Sequence, residues 1–179
     1  MIETARLITR PWTNDDAPRI AEILNTYDVA KYLTTAFPFK LKDAIDYINR
    51  PPISPDGKVR IMSYAIELKD GGGVVGGMTI PVNVNDESII EDGGIWLDTA
   101  YQGKGYGAEI FHARAKYCFD VLGAEKINSG FFEGNEASWS MMKKVGFKLT
   151  GKREEFNCPA IGKKVFNLET VLHKGDFVK

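Results

Sequence analysis

Histidine and cysteine are scarce in this chain, with two of each in 179 residues. His112 and His173 leave a metal site few ligands to draw on, and none is expected. Cys118 and Cys158 lie far apart and form no CxxC pair. Cys118 falls in an apolar helical run, where a buried free thiol is the plain reading. No apolar run approaches the ~20 residues of a membrane span, so no membrane partner is expected. An excess of charge is missing too: 23 Lys and Arg stand against 24 Asp and Glu, a formal net charge of -1. Nucleic-acid binders usually carry a clear basic excess, which argues against that class of partner. The opening Met1-Ile2-Glu3-Thr4 has neither the basic nor the apolar region of a signal peptide, and a cytoplasmic, reducing setting is the default expectation. What remains, 44% hydrophobic and 26% charged residues, fits one soluble globular domain over 1–179.

Glycine is abundant, and its placement organises the chain. Arg6–Thr9 alternates as a strand. Thr13–Tyr27 reads as a helix, with Thr13 and Asp16 spaced as a capping box and Pro18 in its first turn or at a kink. Lys42–Asn49 reads as a short helix with Ile45 and Ile48 inward. Ile61–Leu68 and Val74–Val82 read as a hairpin across Lys69-Asp70-Gly71-Gly72-Gly73. Ser88–Leu97 holds a strand interrupted by Gly93-Gly94, which predicts a bulge or a close backbone approach. Glu125–Phe132 reads as a strand and Asn135–Val145 as a helix closed by Gly146. Phe147–Phe156 and Lys164–Leu172 read as a final antiparallel pair. The expected class is α+β, a mixed, mostly antiparallel sheet of about seven strands flanked by about four helices.

The stretch Tyr101-Gln102-Gly103-Lys104-Gly105-Tyr106-Gly107-Ala108 stands between the run Ile95-Trp96-Leu97 and an amphipathic run over Glu109–Leu122. A strand, a glycine-rich turn and a helix in that order make an anion site, because glycines admit a ligand to the backbone and the first helical N–H groups have no partners. A P-loop needs Ser or Thr after its Gly-Lys pair, and here Gly105 follows Lys104. A dinucleotide fingerprint needs GxGxxG inside alternating βαβ units, and here antiparallel strands come first.

Gln102, Gly105 and Gly107 match the Arg/Gln-x-x-Gly-x-Gly/Ala signature of the GNAT superfamily of acyl-CoA-dependent N-acetyltransferases. Asn135-Glu136-Ala137-Ser138 followed by Lys143-Lys144-Val145-Gly146-Phe147 resembles the Asn-x-x-Ser element of the branch that acetylates ribosomal-protein N-termini. Arg6-Leu7-Ile8-Thr9-Arg10-Pro11 and Gly94-Ile95-Trp96-Leu97 also resemble that branch, and the likeness runs from about Thr4 to Phe177. It implies that backbone N–H groups of Gln102, Gly103, Lys104, Gly105, Tyr106, Gly107 and Ala108 line the pyrophosphate of coenzyme A. Lys104 either adds charge or is a solvated surface lysine. Ile95, Trp96 and Leu97 would offer their backbone to the pantetheine arm, and the Leu97 N–H would face the thioester oxygen. Such a donor is often worth ~3 kcal/mol to an oxyanion.

The resemblance puts Asn135 on the pantetheine arm, although a plain N-cap explains it as well. Ser138 would lie near the sulfur, or be an ordinary first-turn serine. Glu91, Asp92 and Glu133 are candidate bases, and Asp92 matches the place where the branch often has an acid. The tyrosine that many family members use as general acid is replaced by Met142, read as core, with Ser138 or water to protonate the leaving thiolate. Tyr32, Phe37, Phe39 and Tyr64 are candidates for the acceptor wall. The implied partners are acetyl-CoA and an amine acceptor, a peptide N-terminus or a small molecule, with a homodimer left open. The activity implied is N-acetyl transfer by direct attack. A non-catalytic acyl-CoA-binding module is the alternative.

Overall fold

Proline and glycine decide where the central sheet comes apart. The computed structural model describes residues 1–178. The elements run β1 (Leu7–Arg10), α1 (Ala17–Leu24), α2 (Tyr27–Ala30), α3 (Leu41–Ile48), β2 (Val59–Leu68), β3 (Val74–Asn83), β4 (Ile89–Ile90), β5 (Ile95–Leu97), α4 (Tyr106–Asp120), β6 (Lys126–Phe132), α5 (Glu136–Val145), β7 (Lys148–Cys158) and β8 (Lys163–His173). The sheet order is β1-β2-β3-β4-β6-β8-β7, and β5 also pairs with β3. Every pair is antiparallel except β4 with β6.

The eight strands and five helices exceed the expected seven and four for two local reasons. The Ser88–Leu97 strand is cut in two by its glycines, and the expected Thr13–Tyr27 helix breaks off after Leu24, with a separate short helix, Tyr27–Ala30, formed largely beyond it. That helix starts as expected: the Asp16 carboxylate accepts from the Thr13 N–H at 2.8 Å, and Pro18 sits in the first turn of α1, where its missing N–H costs nothing. Its break lets Asn25 bond Phe39 N–H at 2.7 Å, which folds the aromatic segment back. The α3 helix forms where expected but is rotated. Ala44 is fully buried while Ile45 is exposed, because Ala44, Tyr47 and Ile48 form the inward stripe.

Helices cover both faces. On one, α4 and α5 pack Ile110, Phe111, Phe119, Met142 and Val145 against Ile66, Met78, Ile80, Ile127 and Leu172. On the other, Ile20, Ile23, Leu24, Phe39 and Ala44 from the N-terminal helical region enclose Trp96. Trp96 stacks on Trp12, with ring centroids 6.0 Å apart. Gly77 lets both indoles close on β3, since a Cβ there would stand 2.5 Å from one ring and 2.7 Å from the other.

Candidate active site

Along β3, Val82 pairs with Ile90 and Met78 with Ile95. Four steps on β3 thus oppose five on its partner, and the extra residue is a β-bulge over Glu91–Gly94. Pro81 stands opposite it. The Pro81 C=O accepts from the Glu91 N–H at 2.7 Å, and the N–H that proline lacks would have pointed at the bulge. Gly93 fits because a Cβ would lie 2.5 Å from Pro81 Cδ and 2.7 Å from a terminal nitrogen of Arg114. Past the bulge, β5 follows β3 and leaves β6, whose parallel contact with β4 is limited to Ile89–Lys126 and Ile90–Ile127. The sheet opens there.

One edge of β5 faces that opening. The Gly94 C=O accepts from Thr79 and the Asp98 N–H donates to Val75, so even-numbered residues direct their backbone at β3. Trp96 is one of them: its backbone pairs with Gly77 and its indole lies in the second core. Ile95 and Leu97 turn their backbone outward. Gln102 donates its side-chain amide to Leu97 O at 2.9 Å, tying the glycine loop to the strand. Free of β3 are both Ile95 backbone groups and the Leu97 N–H.

The loop enters α4 through Gly103 and Gly105, at φ 72° and 85°. The Glu109 N–H donates to Gly105 O at 3.0 Å, so the N–H groups of Tyr106, Gly107 and Ala108 precede the helical ladder. Arg6 braces the loop from outside. It donates to Lys104 O at 3.1 Å, pairs with Glu109 at 2.7 Å and lies 4.0 Å from the Tyr106 ring centre. The Lys104 ammonium is exposed, 5.9 Å from the Tyr101 ring centre. Gly107 permits α5 to approach, because a Cβ there would meet Met141 Sδ at 3.0 Å.

Across the opening, Asn135 caps α5 by accepting from the Ser138 N–H at 3.2 Å, which leaves its own NH₂ group unused. Trp139 stacks on Phe131 at 5.2 Å and fixes α5 to β6. Between the two sides is a cavity of about 260 Å³, whose walls include Asp92, Ile95, Asn135, Ser138, Met142 and Tyr32. Of the four aromatics expected at the acceptor wall, Tyr32 lines this cavity. Phe39 is buried in the second core, Tyr64 packs against the main one, and Phe37 packs edge-on against Tyr27.

Asp92 lines the cavity. It keeps surface open to water, yet protein surrounds its carboxylate on the remaining sides, and this burial pushes its pKa above the usual carboxylate value. The positive Arg114, the Ser129 hydroxyl at 3.3 Å, the Gly130 N–H and the Asn167 amide pull the other way without cancelling the rise. Glu91 is already engaged, by Asn83 at 2.7 Å and Asn128 at 2.9 Å. Glu133 is exposed. Met142 is buried, with Thr170 donating to its sulfur at 3.8 Å.

The acetyltransferase (GNAT) domain profile matches residues 6–148. The chain belongs to the GNAT acetyltransferases. Members of this family transfer acetyl from acetyl-CoA to an amine. Over 156 residues, 87% of each chain, it is 25% identical to the uncharacterized N-acetyltransferase YoaA of Bacillus subtilis. Mycobacterium smegmatis RimJ in complex with CoA-disulfide superposes with a TM-score of 0.79, at 17% identity over 97% of this chain and 84% of that one. Spermidine N-acetyltransferase from Vibrio cholerae, solved with CoA and spermine, gives 0.76 at 18% identity over 97% and 98%. The mixed, mostly antiparallel open sheet described above is the GNAT fold. Among the described residues no helix is long and apolar enough to cross a membrane, and no cluster of three His, Cys, Asp or Glu side chains is placed to hold a metal.

Sequence reasoning missed several residues of this GNAT cleft. Phe111, Ser129 and Asn167 line it, and Arg114 lies beneath it. One signal was available. Gly130 interrupts β6, and a glycine inside a strand marks a close approach. The approaching group is Asn167, whose amide nitrogen would lie 2.3 Å from a Cβ at that position.

Proposed function

We propose that the chain is an N-acetyltransferase that binds acetyl-CoA across the split in the sheet and delivers the acetyl group to a primary amine by direct attack. The observation that carries this reading is the meeting, at one opening, of a helix start whose first N–H groups lack helical partners with the Asp92 carboxylate. The residues fit the ligand. The unbonded N–H groups of Tyr106, Gly107 and Ala108, with the loop from Gln102, suit a pyrophosphate. The outward backbone of Ile95 and Leu97 and the spare Asn135 amide suit the amide-bearing pantetheine arm. Trp96 supports the strand from behind.

Acetyl-CoA supplies an activated acyl group on a leaving thiolate. Asp92 accepts the proton of the attacking amine, which must be neutral to react. The Leu97 N–H donates to the negative charge that develops on the acyl oxygen. Ser138 or water returns a proton to the sulfur, a modest task for a thiol of pKa ~8.5. Catalysis then comes from positioning and from fixed dipoles. Both cysteines are buried, which argues against a cysteine nucleophile.

The test mixes protein, acetyl-CoA and a panel of N-terminal peptides, polyamines and aminoglycosides, and follows free thiol. Release that depends on the amine is expected; silence across the panel counts against the reading. Met142, buried where a proton-donating tyrosine could stand, favours a second reading, a non-catalytic acyl-CoA-binding module. Calorimetric CoA binding without turnover would select it.

A further inference from the structure

Arg114 is 2% exposed, on the core-facing side of α4 among Ile110, Phe111, Cys118 and Phe119. Its Nε and one terminal nitrogen have no hydrogen-bond partner. A buried guanidinium without an acceptor is costly, and a nearby opposite charge is what makes it tolerable. Cys118, one turn on, does not supply that charge. Burial pushes its thiol up, so it is neutral at ordinary pH. The free terminal nitrogen packs under Gly93, within 2.7 Å of where a Cβ would stand, and Gly93 is the residue after Asp92.

We propose that Arg114 is a positioning residue that holds Asp92 in its ionised, proton-accepting form, acting from beneath the bulge through the space Gly93 leaves. The proposal rests on the reading of Asp92 as the base. Burial alone would drive Asp92 towards its protonated, useless form, and it drives Arg114 towards neutrality as well. Arginine withstands this where lysine would not, because its ordinary pKa lies so far above neutrality. From β6, Asp92 meets the Ser129 hydroxyl and Gly130 N–H, and from β8 the Asn167 amide, all neutral groups. Glu91 beside it is bound by two asparagines. The charged groups on its open side, Lys126 of β6, Lys152, Arg153 and Glu154 of β7, and Glu169 and His173 of β8, stand around a solvent-filled groove, where water screens them. Arg114 is the cation on the dry side.

The experiment is a carbon-13 NMR titration of the Asp92 carboxyl, with the pH profile of kcat/KM for a weakly basic acceptor that stays neutral throughout. Arg114→Met is expected to move the Asp92 titration and the acid limb together to higher pH by about one unit, the low end for losing a close counter-charge. Below the limb the rate falls about tenfold, following the ionised fraction; above it the rate and the KM for acetyl-CoA stay near the parent's. Arg114→Lys is expected to shift the same way, because a lysine buried there gives up its charge. An Asp92 titration and acid limb unmoved in Arg114→Met would overturn the proposal. If that variant does not fold, Arg114→Gln, which also lacks the charge, is read the same way. Asp92→Asn separates the two claims: an acid limb that persists there removes Asp92 as base, whereas a limb lost there but unmoved in Arg114→Met removes only Arg114.

Discussion

Asp92 and Glu91 are adjacent acids with opposite circumstances, and the difference lies in their neighbours. Glu91 is bound by two amide side chains, while Asp92 faces a cavity with burial raising its pKa. A base works in its ionised form, so activity should rise with pH through the folded pKa of Asp92, above the ~3.9 of a free aspartate. Asp92→Ala is expected to lower kcat by 10²-fold or more, about the low end for a positioned base, and to remove that limb. An unaltered pH profile would remove Asp92 from the mechanism. Asn135 should show two effects in one variant. Asn135→Ala is expected to lose about 1 kcal/mol of stability with the cap and to weaken CoA binding with the amide. Urea melts and calorimetry read the two separately; a lost cap with unchanged affinity would leave Asn135 purely structural.

At the scale of elements, the loop and the α4 start were legible because each position answers to a local rule. Gly103 and Gly105 occupy left-handed backbone, Gly107 makes room for Met141, and the helix follows at once. Gly107→Trp should abolish CoA binding while the far-ultraviolet spectrum stays native; unchanged affinity would place the pyrophosphate elsewhere. The bulge was legible from Gly93-Gly94, and the last two runs, read as an antiparallel pair, form β7 and β8. Arg114, Ser129 and Asn167 were not, because each reaches the site from an element distant in sequence, and single-element periodicity carries no such information. The α3 stripe was misread for a related reason. A small Ala44 wins the buried position over Ile45 where another helix lies close, and the two sequences of contacts are indistinguishable until that neighbour is known.

At the scale of the whole molecule, charge fixes the N-terminal end. Arg10 bonds both Asp16 and Glu67, at 2.7 and 2.6 Å. The Arg10 hydrogen bond, with help from Thr13, holds the Asp16 carboxyl below its usual value against the opposing effect of burial. A depressed carboxylate contributes stability above its unfolded pKa and loses it as pH falls through the folded one. Asp16→Asn should therefore cost on the order of 2 kcal/mol near neutrality and much less once acid has protonated the parent. Urea midpoints compared at neutral and strongly acidic pH test this; an equal loss at both would refute it.

The parallel contact of β4 with β6 spans two residue pairs, yet it is where the sheet's two halves meet, the strands within residues 7–97 on one side and those within 126–173 on the other. Under the proposed reading the ligand lies just beyond it, touching α4 and β5 on one bank and α5 on the other. Occupancy and closure of this seam then become one event, a staple set by mass action. At a hundredfold excess over Kd the staple adds about 2.7 kcal/mol, and the amide proton of Lys126, which donates to Ser88 O at 3.2 Å across the seam, should exchange more slowly as acetyl-CoA is raised. The weakest joint in the sheet would then serve as a gauge of the acyl donor around it.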